Sequence, residues 1–223
     1  MLPAKELKLA LAQVAVTRFE GLLCRAVHSA TLYGFSHGKP YTPRPLYNLG
    51  PPKNGARFTP KRGAPALYLA EDFETSLREY LQLGKSARLT PRSEKEGAIV
   101  CFTAKVRVEA VLDLTTAVVQ KALGTDDNEL KSPWRYRKKG GVPPTDRLGR
   151  AIAAARRFDA VRFKSSKGDG DCFMILTEAL VAPSFVEVND PVSLLTQRKP
   201  DLRNGPPHSM MRIIIEARRN LVD

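Results

Sequence analysis

The stretch GARFTPKRGAPALYLAEDFETSLREY, residues 55–80, leaves the chain few choices of local structure. Gly55, Pro60, Gly63 and Pro65 crowd its first part among Arg57, Lys61 and Arg62, so it must begin as a basic loop. Ala66-Leu67-Tyr68-Leu69-Ala70 is an apolar run of strand length. Glu71-Asp72 then opens a helix carrying Glu74 and Glu79. Asp72 suits the N-cap, and early carboxylates suit the positive end of a helix. Arg57, Tyr68 and Glu79 recur at intervals of eleven residues, one each on loop, strand and helix, within reach of a shared cleft. A guanidinium offers a planar fork for phosphate, and a carboxylate can stabilise a developing cation. The trio suits a ligand with a pyrophosphate at one end and a scissile, positively charged bond at the other. Taken singly, each residue is equally at home in a structural role.

The rest of the chain reads as strands and helices around this unit. Leu7, Leu11 and Val14 predict an amphipathic helix over 4–19. Gly21–His28 reads as a strand with Arg25 inside it. A half-buried guanidinium needs partners, so Arg25 is either a ligand contact or a salt-bridged strand residue. Residues 29–56 are loop-rich, with Tyr33, Phe35, Tyr41 and Tyr47 interleaved with Lys39 and Arg44. After a polar connection over 83–97, Phe102, Ala104, Val106 and Val108 alternate with polar residues in a half-buried strand over 98–114. A short helix follows from 117, then WRYRKK (134–139), a patch with the aromatic and basic character of nucleic-acid binders. Thr145 is expected to cap a helix over 146–157. Phe158–Lys164 and Cys172–Leu176 then form a hairpin about a turn opened by Ser165 and Ser166. Residues 183–223 carry a strand-like Ile213–Ile215 and no assignable chemistry.

Composition bounds the function. The net charge of +13 favours anionic partners, whether nucleotides, nucleic acid or an acidic protein. Cys24, Cys101 and Cys172 sit singly, and the three histidines are scattered, so no metal site is expected and a reducing compartment is favoured. No segment approaches the ~20 apolar residues of a membrane span. Glu6 ahead of the first apolar run and the lack of a clear small-residue cleavage site argue against a signal peptide, and a cytoplasmic location is the expectation.

The string GxRF–x9–YLA–x8–E, residues 55–79, resembles the core of the RES domain family, named for its Arg, Glu and Ser. The resemblance extends over roughly 22–178, through the strand holding Arg25, the VLDLT at 111–115, and the turn at Ser165. Ala26 stands where an aromatic residue often follows the Arg, and Lys164 where a Pro usually precedes the Ser. The resemblance implies a single domain over 1–223, with 1–20 a helical extension and 183–223 of unassigned role. It also implies an α+β fold similar to ADP-ribosyltransferase toxins, with mixed and antiparallel sheets around an NAD cleft and flanking helices. In such a cleft Glu79 would stabilise the ribosyl cation, and Arg57 and Arg25 would grip the pyrophosphate. Tyr68 would wall the nicotinamide, and Ser165, with Ser166 the neighbouring alternative, would hydrogen-bond the nicotinamide ribose or carboxamide. The implied activity is that of an NAD-degrading toxin, a glycohydrolase or phosphorylase, restrained by an Xre-type antitoxin. Transfer of ADP-ribose to a protein is the alternative, and a basic nucleic-acid-binding module the second.

Overall fold

The computed structural model describes residues 1–33, 44–82, 84, 99–134 and 142–190. Most of the aromatic loop at 34–43, the connection 85–98, the basic run 135–141 and the strand-like Ile213–Ile215 lie outside the described residues.

The core is a set of strand pairings that close on themselves. Strands β1 (Thr17–His28), β2 (Ala66–Ala70), β3 (Ile99–Asp113), β4 (Ala160–Lys164) and β5 (Asp171–Leu176) pair in the cycle β1-β2-β5-β4-β3-β1. Strand β6 (Phe185–Asn189) adds to β3 beyond the ring. All pairings are antiparallel except β3–β4, so the sheet is mixed. The long alternating β3 carries β1 along one edge, while its other edge is shared by β6 at Thr103–Arg107 and β4 at Val111–Asp113. A single bridge, Cys24 to Ala70, joins β1 to β2.

Side chains inside the ring form one apolar cluster: Leu23, Leu67, Leu69, Val106, Val108, Val111, Phe173 and Ile175 among them. The opposite faces of β2, β4 and β5 present Ala70, Phe163, Cys172 and Met174 to a second cluster. Strand β5 is therefore apolar on both faces, which is why CFMIL reads as an unbroken run. The second cluster is roofed by α1 (Ala4–Gln13), α5 (Ala117–Ala122), α6 (Asp127–Lys131) and α7 (Pro144–Ala155). Two further short helices, α2 (Ser29–Tyr33) and α3 (Gly50–Asn54), flank the long loop, and α4 (Phe73–Leu81) packs on β1.

Two expectations are corrected. The first helix stops at Gln13, because Val14, Val16 and Thr17 are β-branched and the chain turns extended at Val14 to enter β1. Leu7 and Leu11 are fully buried, and Arg157 Nη1 donates to Leu11 O and Val14 O at 2.7 Å each, binding the helix end to the body. The second correction concerns Thr145, which is not an N-cap. Helix α7 begins two residues earlier than expected, at Pro144, whose fixed φ and missing N–H suit the first position, and it ends at Ala155, with Arg156 as C-cap. Gly149 of α7 lies against the loop entering the site, where a Cβ would stand 1.8 Å from Phe58 O. Only glycine fits there.

Candidate active site

Helix α4 starts as its sequence demands: Asp72 Oδ1 accepts the Thr75 N–H at 2.6 Å, a capping bond. Thr75 Oγ1 donates to Asp72 Oδ2 at 2.8 Å and accepts the Gly170 N–H at 3.1 Å. Asp72, Thr75 and Glu79 share one stripe of the helix, at positions i, i+3 and i+7. The whole stripe receives the turn between β4 and β5. A Cβ on Gly168 would fall 2.5 Å from Thr75 Oγ1, and one on Gly170 would fall 2.2 Å from Asp72 Oδ2. Glu74 points elsewhere: it is exposed and ion-paired to Arg78 at 2.8 Å.

That docking brings Ser165 and Ser166 to Glu79. Glu79 Oε1 accepts the Ser165 hydroxyl at 2.6 Å and the Ser166 backbone N–H at 3.0 Å. Oε2 has no hydrogen-bond partner among the described residues. Ser165 Oγ also accepts the N–H groups of Lys167 at 2.9 Å and Gly168 at 2.8 Å, so the hydroxyl is saturated, and the residue is only 4% exposed. Cys172 lies buried beneath. Burial raises its thiol pKa far above the ordinary value, and the Glu79 carboxylate adds to the effect.

Arg57 completes the group from the loop side. Its Nη2 donates to Ser166 Oγ at 2.6 Å, while Nη1 donates to Leu130 O at 2.5 Å and Ser132 O at 3.4 Å. The guanidinium is buried, which lowers its pKa, and the negative charge of Glu79 opposes that shift. Ser166 thus stands between the cation and the anion. The carbonyls that hold Arg57 come from the end of α6, whose acidic start DDNE supplies its own cap, with Asp126 Oδ1 accepting the Glu129 N–H.

Tyr68 rises from the middle of β2, and its hydroxyl is turned inward. The oxygen accepts the Phe58 N–H at 3.2 Å and shares a 3.0 Å bond with Thr59 Oγ1, with Met174 Sδ at 3.3 Å. Burial pushes its pKa up to about 12, although the Thr59 and Phe58 bonds and the Arg57 charge pull it down. The hydroxyl pins the loop that carries Arg57. Arg25 lies apart from this group. It is 9% exposed, donates from Nη2 to Tyr47 O at 2.6 Å, and has Nη1 buried without a partner among the described residues. Burial pushes its pKa down to about 10, still charged at neutral pH. No salt bridge holds it among the described residues.

The structure thus joins Arg57, Glu79 and Ser165, sets Tyr68 behind Arg57, and leaves Arg25 separate. Sequence reasoning missed Thr75, Ser166 as the bridge, and the two glycines. The helical spacing from Asp72 to Glu79 marks Thr75, but nothing local marks its contact with Gly170. Trp134 is half-buried, and its ring is 3.5 Å from where a Gly55 Cβ would stand, a packing position. The basic residues after it are outside the described residues. Two shallow cavities, beside Tyr47 and beside Phe58, do not include Glu79. Among the described residues, no group of three or more His, Cys, Asp or Glu could hold a metal ion. No helix there is long and apolar enough to cross a membrane.

Comparison with known proteins agrees with this architecture. The model of the RES domain matches residues 31–197, and the chain belongs to the RES domain family. Among solved structures it is similar to a chain of the M. tuberculosis MbcT–MbcA toxin–antitoxin complex, with a TM-score of 0.60 and 19% identity. The match covers 82% of this chain and 89% of that one. The α+β fold with a mixed sheet and flanking helices expected from the sequence is the fold observed. No curated protein matches.

Proposed function

We propose that this protein is the toxin of a toxin–antitoxin pair and that it cleaves NAD at the nicotinamide–ribose bond. One observation carries the reading: the Glu79 carboxylate has one oxygen fixed by two donors and the other without a hydrogen-bond partner among the described residues. In the cleavage the N-glycosidic bond breaks, and its electron pair goes to the nicotinamide nitrogen, neutralising the pyridinium. Positive charge then builds on the ribose, as in glycoside cleavage. A carboxylate held in advance beneath the sugar stabilises that charge without reorganising. Ser165 and the Ser166 N–H hold Oε1 and leave Oε2 to face the ribose. Arg57 fixes Ser166, and Tyr68 fixes the loop of Arg57. Nη1 of Arg25, which has no partner among the described residues, suits an anionic oxygen of the pyrophosphate.

Water or phosphate completes the reaction, making the protein a glycohydrolase or phosphorylase; transfer of ADP-ribose to a protein is the other outcome of the same chemistry. No metal is needed in any of these. The solved complex that this chain resembles pairs a toxin with an antitoxin, and a cognate antitoxin of Xre type, in the cytoplasm, is the partner proposed here.

The test is nicotinamide release from NAD by the purified protein and by E79Q, with and without phosphate. Glutamine keeps an oxygen for Ser165 and Ser166 and removes only the charge, so E79Q is expected to fold and to lose release by at least about a hundredfold. Phosphate dependence identifies phosphorolysis, and acceleration by cell lysate identifies a protein acceptor. A folded wild-type protein that releases nothing in any condition sinks the proposal.

A further inference from the structure

Ser166 is held from two sides and still has something to give. Its N–H donates to Glu79 Oε1 at 3.0 Å, and its hydroxyl oxygen accepts a hydrogen bond from Arg57 Nη2 at 2.6 Å. An oxygen accepting from a guanidinium must turn its own O–H away from it. Among the described residues nothing accepts that proton, and Ser166 is half-buried rather than sealed. Ser165 differs: its hydroxyl donates once and accepts twice, and the residue is closed off. Arg57 is closed off too, with both terminal nitrogens engaged on Leu130 O, Ser132 O and Ser166 Oγ.

We infer that Ser166 is the substrate-contacting residue of this turn, its hydroxyl passing the positive charge of Arg57 to an anionic phosphate oxygen of the bound dinucleotide. The inference rests on the NAD reading above. A hydroxyl that accepts from a cation is polarised into a stronger donor, and such a donor is best matched by a charged oxygen. The arrangement lets a buried guanidinium act on a ligand it does not touch. It also sets the phosphate donor on the residue whose N–H holds Glu79 Oε1, so the anionic end and the scissile bond of one ligand are read by two neighbouring groups.

The experiment compares the wild type, S166A and S166T by calorimetric binding of ADP-ribose and by kcat and KM for nicotinamide release. S166A is expected to weaken ADP-ribose binding about tenfold and to lower kcat/KM for nicotinamide release by at least that factor. S166T, which restores the hydroxyl, recovers both. Wild-type affinity in S166A overturns the inference. So does an equal loss in S166A and S166T with a lowered melting temperature, because Ser166 then only props the turn. A wild type that binds neither NAD nor ADP-ribose removes the NAD reading and this inference with it. A wild type that turns over NAD, beside an unchanged S166A, removes the role of Ser166 alone.

Discussion

Gly168 and Thr75 are in van der Waals contact so close that no side chain fits between them: a Cβ on Gly168 would lie 2.8 Å from Thr75 Cα. This contact seats the β4–β5 turn on α4, and everything that meets at Glu79 depends on it. G168A is expected to lower stability by about 1–3 kcal/mol through overpacking and to reduce nicotinamide release more than the fraction unfolded explains. Urea unfolding beside an activity assay reads both. An alanine variant with native stability contradicts the contact.

Thr75 ties the same two elements with its hydroxyl. T75V keeps the shape and removes the oxygen that serves Asp72 and Gly170, leaving the Gly170 N–H without its acceptor. The expected loss is about 1–3 kcal/mol, with T75S retaining most of the wild-type stability. Chemical denaturation of the pair decides it; wild-type stability in T75V contradicts the role given to the hydroxyl.

Arg57 is expected to resist replacement even by lysine. A guanidinium reaches Leu130 O, Ser132 O and Ser166 Oγ together, and an ammonium on a flexible stem does not hold three such positions in one plane. R57K is expected to lose about 1–3 kcal/mol of stability, and faster hydrogen exchange at the end of α6 locates the damage. Unchanged exchange there contradicts the role given to Arg57.

Tyr68 predicts a pH effect. Its folded pKa is raised from 10.0 to about 12, so the unfolded state loses the phenolic proton first as pH rises. The unfolded state then binds fewer protons than the native one, and stability falls with pH between those values, by about 1.4 kcal/mol per unit at most. Buried Cys24 and Cys101, raised from 9.0 to about 12 and about 11, act in the same direction from pH 9. Y68F lacks only the tyrosine contribution. Its stability deficit against the wild type is therefore expected to shrink from pH 10 to 12 in thermal unfolding. A constant deficit removes the prediction.

Local patterns carried much of this fold into view. The Asp72 cap, the period-two β3 and the hairpin around Ser165 are each decided by neighbours within a few residues, and each forms as its residues require. Arg57, Tyr68 and Glu79 were legible as a set because loop, strand and helix follow one another without a break. What the sequence hid was non-local. Leu130 O and Ser132 O are backbone atoms with no signature, and Ser166 differs from Ser165 only in which way the turn aims it. The end of α1 was misread because Val14 continues the helical apolar spacing while its branched side chain favours β1. Thr145 was misread because a good capping residue sat beside a better first-turn residue, Pro144.

The Ser166 that Arg57 binds is 109 positions further along the chain, and the Ser165 that Glu79 binds is 86 positions further along. A ribosome that has not yet released the β4–β5 hairpin holds a polypeptide with the carboxylate already made and its donors still missing. No copy that stops short of the β4–β5 hairpin can assemble this group, which forms only when the hairpin closes onto α4. The order of the chain itself thus delays the assembly around Glu79 until the β4–β5 hairpin has been made.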